Sequence, residues 1–131
     1  MSATTATRAG RSAAEALMID SCTIKRVTGR STDDNTGVVT PTYSTVYTGK
    51  CKLQRPSGDA RRDVAEASIV VAPLELHLPI VGSEGIQTDD VVTVTASTMD
   101  ADSVGKVFRI SGPARGTFRT ARRLPVTEVT S

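Results

Sequence analysis

The chain has 131 residues, enough for one domain, and its 16 Lys and Arg against 14 Asp and Glu give a formal charge of +2, too nearly balanced to mark a dedicated nucleic-acid binder. No apolar run approaches transmembrane length, and two cysteines 29 positions apart offer neither CxxC spacing nor a second pair to complete a zinc site. Aromatic residues make up 3% and Trp is absent, so the core must rest on Val, Ile, Leu and Ala. Such a thin core favours a subunit that finishes burying itself against neighbours.

Residues Met1 to Arg11 are small and polar and read as a flexible N-terminal arm; the apolar segment of a signal peptide is missing from them. The stretch SAAE, Ser12 to Glu15, has the form of a capping box, in which the Ser12 hydroxyl accepts from the Glu15 amide and the Glu15 carboxylate reaches back. A helix of about two turns is expected from Ser12, packing Ala14, Leu17 and Met18 on one face, with a break at Asp20 and Ser21. In SCTIKRV, Cys22, Ile24 and Arg26 alternate with Thr23 and Lys25 as in a strand. TGRSTDDNTGVVTP is rich in turn residues and reads as a long loop or hairpin tip. In TYSTVYTGKCKLQ, Tyr43, Thr45 and Tyr47 fall on one parity, and Gly49 marks a bend or bulge. Cys22 and Cys51 read as small buried residues in a reducing cytoplasm, with a disulfide as the alternative if their strands pair.

A polar excursion, RPSGDARRDVAE, follows from Arg55 to Glu66, with the charges Asp59, Arg61, Arg62 and Asp63 after Gly58. Loops this long inside a small domain are commonly functional or disordered. A strand is expected over Ala67 to Leu78: Leu74, Leu76 and Leu78 share one parity, which leaves His77, the one histidine, with Glu75 on the wetter face as an ordinary strand residue. Asp89 and Asp90 stand at the entrance of another strand, Val91 to Ala96. STMDADSVG has room for one helical turn, capped by Ser97 or Asp100. KVFRISG sets Phe108 and Ile110 opposite Val107, Arg109 and Ser111, and TARRLPVTEV supplies a final strand. About six strands with polar turns indicate a mainly β fold, a small antiparallel β-barrel or sandwich with a short N-terminal helix and long loops, residues 12–131 forming one domain.

From Gly105 to Thr127 there are Lys106, Arg109, Arg115, Arg119, Arg122 and Arg123 and no acid. A run of this kind is a solvated or salt-bridged strand face in the plain reading and a phosphate contact in the sharper one. No GxSxG elbow or paired catalytic motif is present, so the sequence gives no reason to expect an enzyme, a metal or a cofactor.

The order of these phrases, SAAEALMIDSCTIKRVTG, DDNTGVVTPTYSTVYTGKCKLQ, LELHLPI, DDVVTVTAS, VGKVFRISG and TARRLPVTEV, resembles the head-closure or head-to-tail connector (stopper) proteins of tailed bacteriophages, notably those of actinobacterial phages and prophages. The resemblance runs from about Ser12 to Val129. It implies a β-barrel subunit in a homo-oligomeric ring, hexamer or dodecamer, at the virion neck, assembled in the bacterial host cytoplasm. Its partners would be the portal adaptor protein and a tail terminator or tail-joining protein, with non-specific contact to packaged DNA, no cofactor and no membrane. In related connectors a loop gates the channel, and the loop matched here is the one carrying Gly58, Asp59, Arg61, Arg62 and Asp63. The basic set from Lys106 to Arg123 would pair with acidic regions around Asp33, Asp34 or Asp59 of a neighbour. Many relatives have Gly before the Asp of the DVVTVT phrase, where this chain has Asp89. Alternative readings are a tail terminator or tail-to-head joining ring protein, and a small OB-like nucleic-acid module using Arg109, Arg115, Arg119, Arg122 and Arg123.

Overall fold

Alternating apolar side chains become six antiparallel strands in the computed structural model, which describes residues 2–55, 74–112 and 119–129. A helix α1 (Ala3–Ala16) leads into β1 (Asp20–Thr32) and β2 (Val39–Gln54); β3 (Leu74–Leu78), β4 (Val91–Ala96), a 3-10 turn (Ala101–Ser103), β5 (Val107–Ile110) and β6 (Arg122–Glu128) follow. The strands close on themselves in the order β1-β2-β3-β6-β5-β4, with β4 paired back to β1. Closure removes free edges within the ring. The mainly β expectation, with a helix at the N-terminus, holds.

Alternation puts Cys22, Ile24, Leu76, Leu78, Val92, Val94, Ile110 and Leu124 inside the ring, all at 1% exposure or less. Phe108, Val126 and Tyr47 complete this core. Cys22 and Cys51 are free and buried side by side in it. Contact with the Cys51 thiol, and then burial, raise the Cys22 pKa, so the thiol stays protonated and packs as a small apolar group.

Several expectations need correction. The helix does not begin at Ser12: it spans Ala3–Ala16, so most of the stretch read as a flexible arm is helical, and Ser2 is its N-cap, accepting from the Thr5 amide at 3.1 Å. Glu15 bonds Lys50 Nζ at 2.9 Å instead of closing a capping box. Met18 is buried, but Leu17 caps the helix C-terminus and is 60% exposed. The helix is held by polar and close-packed contacts: Arg11 Nε donates to the Arg119 carbonyl at 3.0 Å, and Gly10 lies against the Thr120 methyl.

Of the two readings of TGRSTDDNTGVVTP, a long loop or a hairpin tip, the hairpin tip holds, with strand reaching further into the stretch than a loop would allow. β1 runs to Thr32 and β2 resumes at Val39, with a tight turn in which the Asp33 carbonyl accepts from Gly37 N at 2.7 Å and the Asp33 carboxylate from Asn35 N at 2.8 Å. Gly37 takes a positive φ of 72°, which glycine adopts without strain. Tyr43 and Tyr47 do not share an environment: a bulge at Ile24/Lys25 shifts the register between them, leaving Tyr47 buried and Tyr43 half exposed. Gly49 pairs regularly with Cys22; its role is to admit the Tyr47 ring, since a Cβ there would stand 2.9 Å from the phenol oxygen. The strand expected from Ala67 is described only from Leu74; its first residues lie outside the described residues.

Candidate assembly surfaces

Two surfaces and one internal brace stand out once the core is accounted for. The brace centres on Asp90, 2% exposed at the start of β4. Its carboxylate accepts Arg26 Nε and Nη2, each at 2.9 Å, and the Gln87 amide at 2.8 Å, while Arg26 Nη2 also donates to the Gly85 carbonyl at 2.6 Å. The bond to Asp90 is the main cause of the raised Arg26 pKa. Asp89 has φ 74°, so it occupies the left-handed conformation that Gly favours and Asp tolerates. From the far side of the same loop, Arg122 donates to Ser83 Oγ at 2.8 Å and to the Ile80 carbonyl at 3.2 Å. The buried Ser83 hydroxyl donates in turn to the Pro79 carbonyl. Residues 79–90 are thus fastened by one arginine from β1 and one from β6.

His77 is a correction: it lies on the parity opposite Leu76 and Leu78, as expected, but that face is not wet around it, and it is 5% exposed. Parity fixes which face a side chain takes, not whether its neighbours cover it. His77 stands in register between Lys52 and Arg123, whose long stems flank it. Burial lowers its pKa, Glu75 at 3.2 Å opposes that shift, and the Lys52 and Arg123 charges add to it. Among the described residues no three His, Cys, Asp or Glu side chains gather as a metal site.

The described residues of the expected basic interface stand in different settings. Lys106 lines a groove at the end of the ring where β1 begins. Arg109 and Arg123 are exposed on β5 and β6, and Arg122 shares the inward parity of Leu124 and Val126 and is engaged with Ser83. The Arg119 carbonyl anchors Arg11. Arg115 lies outside the described residues, as do Gly58, Asp59, Arg61, Arg62 and Asp63 of the expected channel loop.

The sequence reading missed the first surface, an arm made by the outer half of the β1–β2 hairpin. β1 pairs with β4 only from Ser21 to Lys25, and β2 pairs with β3 only from Lys52 to Gln54, so the ladder from Val27 to Tyr43 has no third strand among the described residues. In register, Val27 faces Tyr43, Arg30 faces Pro41 and Thr32 faces Val39 on one side; Gly29–Thr42 and Ser31–Thr40 make up the other. One face is therefore apolar around a single arginine, and the other is hydroxyl-rich. Val27, Val39 and Tyr43 are 43%, 52% and 50% exposed. The alternation of Val39, Pro41 and Tyr43 was the available signal.

The second surface is the groove at the opposite end of β1, about 600 Å³, with Leu17, Ile19, Leu53, Leu74, Met99 and Phe108 along it. Asp20, Asp100, Asp102 and Glu128 line it as well, with Lys52 and Lys106. No helix among the described residues is long and apolar enough to cross a membrane.

The fold is similar to the solution structure of protein SF1141 from Shigella flexneri 2a, with a TM-score of 0.55 and 16% identity over 83% of this chain and 90% of that one, a likeness of fold alone. No curated protein matches the chain. Residues 10–127 match a family described as of unknown function (DUF6093), and the chain belongs to that family.

Proposed function

We propose that the chain is a structural subunit of a tailed-phage neck, a head-closure (stopper) ring protein that sits between the portal adaptor and the tail and retains packaged DNA. The support is the order of strand and turn phrases along nearly the whole sequence, together with the fold. The observation that carries the reading is the hairpin arm: a closed ring of strands with its own core extends a two-stranded ladder whose apolar face stays largely exposed among the described residues. Exposed apolar surface on a projecting element marks a contact with another protein. A tail-terminator ring would use the same features, and the two differ in which neighbour the ring touches.

The test is to assemble portal and adaptor rings with the purified chain and image the complex, alongside particles made without the chain. A ring seated below the adaptor, and heads that lose their DNA or fail to join tails when the chain is missing, are the expected results. A ring found only on tail tubes would reassign it as a terminator, and a chain absent from assembled particles would overturn the reading.

A further inference from the structure

The geometry points to a head-to-tail contact between copies of this chain, in which the apolar face of one copy's hairpin arm lies in the groove of the next. The inference rests on the reading of the chain as an assembling subunit, but not on what the assembly does. Its occupant is a second copy, for three reasons.

First, each surface has what the other lacks. The arm presents Val27, Val39 and Tyr43 around Arg30, and Arg30 makes no ion pair among the described residues. The groove combines apolar side chains with the carboxylates Asp20, Asp100, Asp102 and Glu128, which outnumber its two cations, Lys52 and Lys106, and none of these carboxylates is in an ion pair among the described residues. A cation set in an apolar face meets carboxylates set among apolar side chains, which is the complementarity that fixes partner and register.

Second, the arm cannot fill the groove of its own chain. Groove and hairpin turn lie at opposite ends of β1, whose 13 residues, at roughly 3.3 Å each, separate them by about 40 Å. The arm continues a hydrogen-bonded ladder and is not a tether that could fold back.

Third, a donor surface and a different acceptor surface on one chain make a heterologous contact, in which every copy both gives and receives. Repetition of such a contact closes into a ring when the rotation per step allows it.

Cysteine pairing tests this directly. Val39→Cys is prepared in one batch and activated as a thiopyridyl disulfide, and Met99→Cys in another; when they are mixed, the Met99→Cys thiolate attacks the activated sulfur, forming the intermolecular disulfide and expelling thiopyridone. Met99 is 81% exposed and Val39 is 52% exposed, so neither change disturbs the core. Thr40→Cys, one residue along on the hydroxyl face, is the control. Coupling through Val39→Cys should be at least about tenfold faster than through Thr40→Cys, a ratio equivalent to about 1.4 kcal/mol. Arg30→Glu should slow it, and Arg30→Glu mixed with Asp102→Lys should restore it. Equal rates for the two arm positions, or a rate indifferent to Arg30→Glu, would overturn the contact. So would a Met99→Cys thiol that is shielded from maleimide in dilute solution, since the groove would then be filled from within the chain. A chain that enters particle necks without this coupling refutes the interface and leaves the ring reading intact; a chain that couples but never enters particles does the reverse.

Discussion

Replacing Asp90 with Ala tests the brace that holds residues 79–90 to the ring. The substitution removes the carboxylate that accepts two bonds from Arg26 and one from the Gln87 amide. Hydrogen bonds to charged groups contribute about 1.5–3 kcal/mol each, but the Arg26 side chain is 31% exposed and regains water when freed, so the sum is well below three full bonds. A loss of about 3 kcal/mol is expected, at the lower end of the range for breaking a buried pair. Asp90→Asn should retain only part of this, because either amide orientation turns its NH2 toward an Arg26 donor. Arg26→Leu should be worse than Asp90→Ala, since it strands a carboxylate that is 2% exposed. The double variant should recover part of that loss, because the uncompensated charge goes with its partner. Urea unfolding at pH 7 is the assay, read as a shift in midpoint at constant slope. If Asp90→Ala cost less than about 1 kcal/mol, or if the two single losses simply added in the double variant, the brace would not act as described.

Burial keeps the His77 pKa below the usual 6.5, so between those two values the unfolded chain binds a proton that the folded chain does not. Stability from this source is complete above about pH 6.5 and falls as the pH drops toward the folded pKa; His77→Gln should flatten the urea midpoint against pH there, and an unchanged slope would refute it. Ser2→Ala should cost α1 about 1 kcal/mol as a lost cap, whereas Ser12→Ala, inside the helix, should be neutral or slightly stabilising; amide exchange of residues 3–16 separates the two. Gly10→Ala improves helix propensity by about 1 kcal/mol but sets a Cβ 2.6 Å from the Thr120 methyl, so it should stabilise clearly only with Thr120→Ser, as thermal unfolding of both backgrounds would show. Leu17→Asp should leave the monomer's melting temperature nearly unchanged, because Leu17 is 60% exposed, while slowing the coupling of Val39→Cys to Met99→Cys; an equally large loss of monomer stability would show that Leu17 packs in the core.

Strands were legible where one face is apolar and the other polar over short spans, as in Phe108 and Ile110 against Arg109, or Leu124 and Val126 against Arg123 and Pro125. The 3-10 turn after Asp100 was legible for a local reason, since the aspartate caps it by accepting from the Asp102 amide. The helix start was misplaced because SAAE is a good local cap, whereas the helix is held by residues distant in sequence: Arg11 to residue 119, Gly10 to Thr120 and Glu15 to Lys50. No apolar stripe runs through ATTATRAG to announce it. The hairpin tip was legible in its Asp, Asn and Gly, but the reach of its strands was not, because the Thr and Ser that flank the tip suit turns and strands equally well. The Arg26–Asp90 brace joins residues 64 positions apart, and nothing local to either forecasts it.

The outer hairpin is where local and tertiary requirements separate. An isolated two-stranded ladder is marginal in water, and this one is sustained by continuity with the closed ring and by the hydrogen-bonded turn at Asp33. Its edges invite strand addition, yet they are blunted: Pro41 offers no N–H, and bulges at Ile24/Lys25 and Val27/Gly29 twist the ladder. The same edges carry Ser31, Thr40 and Thr42 on the face opposite Tyr43 and Val39. A segment shaped for adding a strand would keep a flat, regular edge; this one keeps a regular face and an irregular edge. Contact through the apolar face, with side chains and not backbone amides setting affinity, is therefore what the local sequence favours, and Arg30 within that face is the residue through which such a contact would choose its partner.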